Sequence, residues 1–111
     1  MDKHWDLRTL DVEPHRPVIL HSARGEARSV VLHLPAGRQL QDHQVHERAH
    51  LVVVDGEVDV VQGDETVSGG PGLLAVFDPA ERHEVRARSD ARLLLVLAPW
   101  PGTGHPGARD A

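Results

Sequence analysis

A chain of 111 residues with a 40% hydrophobic content has material for one domain and one modest core. The formal net charge of -5, with arginine and acidic residues interspersed, gives no basic footprint for nucleic acid. Cysteine is absent, which excludes disulfides, thiolate nucleophiles and cysteine-based zinc knots.

In chain order, the opening MDKHWDLRTL is of mixed charge, unlike a signal peptide. No apolar run approaches the ~20 residues that span a bilayer. The expectation is a cytoplasmic protein with no membrane partner. Glu13-Pro14-His15-Arg16-Pro17 reads as an extended entry segment. Val30-Val31-Leu32-His33-Leu34 is a β-rich run that stops at Pro35-Ala36-Gly37. Leu51-Val52-Val53-Val54 stops at Asp55-Gly56, and Glu57 to Val61 follows at once, so the Asp-Gly pair predicts a tight hairpin with positive φ. Gln62-Gly63-Asp64-Glu65 marks another turn before Thr66-Val67, and Ser68 to Gly72 is a loop. Leu73 to Phe77 reads as a strand broken by Asp78-Pro79. His83 to Arg88 alternates between a buried and a wet face, and Leu93 to Leu97 is a buried strand. From Pro99 onward a Pro/Gly tail is expected to drape over the surface, with Trp5 and Trp100 as apolar anchors of the two terminal segments. Short strands at regular spacing, with no sustained helical stripe, predict an all-β barrel or sandwich.

His46-Glu47-Arg48-Ala49-His50 fits H-E-x-x-H, the zinc-protease signature. That motif works on a helix, where the two histidines share a face and the glutamate acts on a zinc-bound water. Here it runs into consecutive valines, which are good strand formers and poor helix formers. On a strand His46 and His50 would stand about 13 Å apart at about 3.3 Å per residue, too far for one zinc. A zinc hydrolase therefore remains only the remote alternative.

Gly37, five residues, His43 and then Gly56 match the outline of G-x5-H-x-H-x3,4-E-x6-G. Gly72, five residues, and Asp78-Pro79-Ala80-Glu81-Arg82-His83 follow the spacing of G-x5-P-x-G-x2-H-x3-N. Over roughly Val30 to Leu97 the chain resembles a small single-domain cupin of the RmlC-like superfamily. The resemblance implies a double-stranded β-helix, or jelly-roll, barrel with its core at about 18–98 and a tail at 99–111. The departures fall on the family's ligand positions. Its second histidine falls on Val45, its glutamate on Ala49 and its asparagine on Ala87, while its proline and glycine fall on Asp78 and Ala80. Only His43 and His83 keep their places among the four usual ligands. Strand alternation puts Ala49, Leu51 and Val53 inward and His50 outward. A bulge near the first-motif loop would turn His46 inward, making His43, His46 and His83 a facial metal set. Glu47 would then be a fourth ligand or a partner fixing a histidine tautomer, and Gln41 shares the parity of His43.

Two functions stay open at this point. In one, the barrel pocket holds a divalent ion (zinc, iron, manganese or nickel) and acts on a small anionic substrate, with Arg48 or Arg82 at the rim. In the other, a cupin with a thinned ligand set binds a small molecule without catalysis, as a sensor or accessory subunit. Either form is expected to pair as a homodimer, covering edge strands and an outer face that carries Val52, Val54 and His50.

Overall fold

The computed structural model describes residues 3–43 and 45–103, with 41–43 described by their backbone alone. Among the described residues nine strands carry the fold: β1 (Val18–Ser22), β2 (Arg28–Leu34), β3 (Gln39–His43), β4 (Arg48–Asp55), β5 (Val58–Gln62), β6 (Glu65–Gly69), β7 (Leu74–Phe77), β8 (His83–Ala87) and β9 (Ala91–Ala98). They form a five-stranded sheet in the order β1-β2-β9-β4-β7 and a four-stranded sheet in the order β3-β8-β5-β6. Every pairing is antiparallel. This is the all-β architecture the strand rhythm predicts, in the jelly-roll form the family resemblance implies, and the described residues contain no helix.

Alternation decides what fills the barrel. Along β4, Ala49, Leu51 and Val53 are buried while Arg48 and His50 are exposed. Along β8, His83, Val85 and Ala87 point inward. Ala49, Leu51, Val53, Val85 and Ala87 meet Leu34, Val58, Val60, Phe77, Ala91, Leu93 and Leu97 in one apolar cluster. Burial of the cluster is the dominant favourable term, at about 25 cal/mol per Å² of apolar surface.

The Asp55-Gly56 pair is not a hairpin. Gly56 has the predicted positive φ, 83°, yet β4 pairs with β7 and β9 while β5 pairs with β6 and β8. The turn is a corner that carries the chain from one sheet to the other. It stacks on the second corner, between β8 and β9, where the Arg88 and Ser89 amides donate to the Glu57 carbonyl and the Glu57 amide donates to Ser89 Oγ. A Cβ at Gly56 would collide with the Asp90 carbonyl, so the glycine serves both the left-handed turn and the close approach. The true two-residue hairpin is one turn later, at Gly63-Asp64, where Gln62 stands opposite Glu65.

Both terminal segments are tied down. Arg92 Nη1 donates to the carbonyls of Leu7 (3.0 Å) and Leu10 (2.5 Å), holding the N-terminal segment against the five-stranded sheet, with Val12 buried beneath. Trp100 packs against the core, and its ring receives the Arg28 guanidinium at 3.9 Å. The Trp100 amide donates to the Glu26 carbonyl, and the Gly25 amide donates to the Trp100 carbonyl. Trp100 therefore anchors the start of the tail, while the rest of the tail, 104–111, lies outside the described residues. Trp5, expected to anchor the other end, is 39% exposed.

Candidate functional site

The residues singled out by the sequence gather at one end of the barrel, where β3 ends, β4 and β8 begin and β7 ends. In the ladder between β3 and β8, His43 stands directly opposite His83, after an irregularity between Leu40 and His43. The two histidines that keep their family positions are thus cross-strand neighbours. The side chains of Gln41 and His43 lie outside the described residues.

His83 is 4% exposed, a buried imidazole on the inward face of β8. Its ring stacks on Phe77, with centroids 4.0 Å apart and planes 9° from parallel. Its Nδ1 lies 3.3 Å from the Glu81 carbonyl oxygen. A proton on Nδ1 serves that carbonyl and makes Nε2 the lone-pair nitrogen. Stacking fixes the ring plane and the carbonyl fixes its rotation, so the side chain is held in place before any ligand arrives.

A network of polar groups holds the 78–82 loop that carries this carbonyl. Glu81 Oε1 accepts from the Asp78 amide at 2.8 Å, and Oε2 accepts from Gln62 Nε2 at 3.1 Å. Gln62 Nε2 also donates to the Val76 carbonyl at 3.0 Å. The Ala80 amide donates to the Val45 carbonyl at 2.7 Å, which ties this loop to the one that follows β3. Asp78 further accepts from Arg48 Nη1 at 2.6 Å, so Arg48 is engaged in an exposed ion pair at the rim. Sequence reasoning does not single out Gln62 or Glu81. The one available signal is the position of Glu81, two residues before His83 and beside Asp78-Pro79.

Among the ligands expected beside the register pair, His46 is exposed in the bend before β4, and Glu47 is 1% exposed. Glu47 Oε2 accepts from the Gly102 amide at 2.7 Å, so this buried carboxylate receives the C-terminal segment. The approach leaves no room for a side chain: a Cβ on Gly102 would stand 2.5 Å from the His46 carbonyl oxygen. His50 is exposed on the outer face of β4, as alternation requires. His46 and His50 therefore belong to a bend and a strand, not to the helix that an H-E-x-x-H zinc site needs. Val45, in the place of the family's second histidine, packs against the core, and Ala49, in the place of its glutamate, is fully buried. Among the described residues no three histidine, aspartate or glutamate side chains stand together as a metal-holding group.

An antiparallel jelly roll with a buried histidine on the strand that faces the first-motif strand is the architecture of a cupin. A profile of the cupin domain matches residues 30–98, and the chain belongs to that family. Solved structures agree on the fold. An RmlC-like cupin protein from Desulfovibrio desulfuricans superposes with a TM-score of 0.75 at 25% identity, covering 89% of this chain and 97% of that one. The protein TT1209 from Thermus thermophilus gives 0.71 at 24% identity, over 85% and 94% of the two chains. A conserved protein of unknown function from Streptococcus pyogenes gives 0.71 at 20% identity, over 87% of each.

Proposed function

We propose that this cupin binds a small molecule at the His43–His83 end of its barrel. The observation that supports the reading best is the cross-strand pairing of those two histidines, with His83 buried and oriented by Phe77 and the Glu81 carbonyl. A buried, pre-oriented imidazole beside an apolar interior recognises a ligand that offers one hydrogen-bonding or anionic group and an apolar body. The chain's contribution is to bind, to orient and to exclude water. The losses at Val45 and Ala49 fit a binding or accessory protein better than a catalyst, because they remove a ligand and a proton acceptor.

The register pair also favours a second reading, in which a divalent ion joins the site. The donors fall short of a resident metal by themselves, since three protein ligands are the usual minimum. A third would come from His46 or from the bound molecule. Such an ion would supply Lewis acidity toward an oxygen of the ligand. A homodimer belongs to the same proposal.

Native mass spectrometry and elemental analysis of untagged protein separate the readings. The small-molecule reading expects protein without stoichiometric metal that carries an organic ligand, lost in His83→Gln. The metal reading expects a stoichiometric ion that disappears in both His43→Ala and His83→Ala and persists in His50→Ala. Protein with neither, before and after incubation with iron, manganese, nickel and zinc, rules out both.

A further inference from the structure

At the other end of β3 lies a cleft that none of the family-motif residues explains. β3 spans about 13 Å from Gln39 to His43 at about 3.3 Å per residue, so this cleft is a strand's length from the His43–His83 pair. It has a volume of about 290 Å³ and is walled by His15, Arg16, His33 and Arg38 over an apolar floor that includes Leu32 and Leu40. Among the described residues no carboxylate lines it, in a chain whose net charge is -5.

The opening has a local cause. The ladder between β1 and β2 ends at Val18↔Val31. Pro17 has no amide hydrogen with which to extend it. The 15–17 segment therefore leaves β2 unpaired with β1 beyond Val31, and His15 takes a left-handed backbone at φ 63°. β3 is the edge strand of the other sheet, so the cleft forms where the two sheets part. The backbone beneath Arg38 is pinned: its amide donates to the Pro35 carbonyl, its carbonyl accepts from the Ala87 amide, and the Gly37 amide donates back to the Ala87 carbonyl.

The charges are only partly satisfied. Arg16 Nη1 holds Glu13 at 3.3 Å in an exposed pair. Among the described residues, the Arg38 guanidinium and the imidazoles of His15 and His33 have no hydrogen bond or ion pair. Cationic and imidazole donors above leucine side chains complement a ligand with an anionic head and a compact apolar body.

We propose that this cleft is a second binding site, for a small organic anion, with Arg38 and His33 as the principal head-group donors. The shared chemistry is a carboxylate or phosphate monoester on an apolar ring or chain. The cleft's size sits at the small end of ligand pockets, which suits a single ring better than a nucleotide.

The test is a ¹⁵N-resolved NMR titration of the full chain with benzoate, phenyl phosphate and neutral benzamide. The proposal expects saturable shifts at the amides of 15–16, 32–34 and 38–40 with one or both anions and none with benzamide. The arm that binds tells carboxylate from phosphate. Arg38→Gln and His33→Gln should each weaken binding about tenfold or more, as loss of a charge-assisted or directed hydrogen bond does. Arg24→Gln, exposed in the turn between β1 and β2 at the far end of β2 from the cleft, controls for net charge. Equal response to benzamide, shifts centred elsewhere, no saturation at millimolar anion, or equal loss in Arg24→Gln would each overturn the proposal.

Discussion

At the scale of single residues, the most informative departure from the family pattern is Ala80. The family's glycine falls there, and the structure keeps the backbone a glycine would take, with φ 64°. A left-handed alanine costs about 1–2 kcal/mol, and glycine gives back about 0.5–1 kcal/mol of that in unfolded-chain entropy. Ala80 is exposed, so no packing is lost on removing its methyl. Ala80→Gly is therefore expected to stabilise the protein by roughly 0.5–1 kcal/mol, read as a raised urea midpoint at unchanged slope. An unchanged or lowered midpoint would mean that the 78–82 network, not the backbone, sets the stability of this loop. The pairing of His43 with His83 is legible in the sequence because each stands at the glycine-to-histidine spacing of a family motif. The setting of Glu47 is not. Its partner is a backbone amide 55 residues away, and no local pattern encodes such a contact.

At the scale of elements, alternation makes β4 and β8 readable: buried and more exposed positions alternate along each strand. β3 escapes a sequence reading because an edge strand needs little apolar content, and Gln39–His43 holds a single leucine. The corner at Gly56 reads as a hairpin because a tight hairpin and a sheet-to-sheet turn make the same local demand, a positive φ. Only the distant partners of β4 and β5 tell them apart. The tail is the element whose role can be tested most directly. Glu47→Ala leaves the buried Gly102 amide without its acceptor, which costs about 1–3 kcal/mol. Hydrogen exchange should then speed at 100–103 while β5 and β8 stay protected. Glu47→Gln keeps a carbonyl oxygen at the same place and should lose much less. If instead Glu47→Gln impaired ligand or metal uptake with the tail still protected, Glu47 would belong to the site chemistry and not to the latch.

At the scale of the whole molecule, the described residues leave uncovered an outer face of the five-stranded sheet on its β7 side. The N-terminal segment is held over β9 by Arg92, and Val31 beside it on β2 is fully buried. Toward β7 the cover ends. Val52 stands opposite both Leu74 and Leu94, and His50 opposite both Val76 and Val96, so two rows of outward side chains run across three strands. Leu74 is 53% and Val76 38% exposed on an edge strand. An apolar row that ends on an edge strand invites pairing, and a two-fold arrangement would lay the same patch of a second copy against it. The expected outcome is a dimer in sedimentation equilibrium. Leu74→Asp should shift it to monomer with its β-sheet circular dichroism intact, because that side chain touches little within its own chain. Ile19→Asp, on the opposite edge at β1, should leave the dimer whole if β7 is the seam. A wild-type monomer would sink the pairing. A dimer broken by Ile19→Asp and untouched by Leu74→Asp would move the seam to β1, beside the cationic cleft, where a second copy would help to wall the proposed anion site.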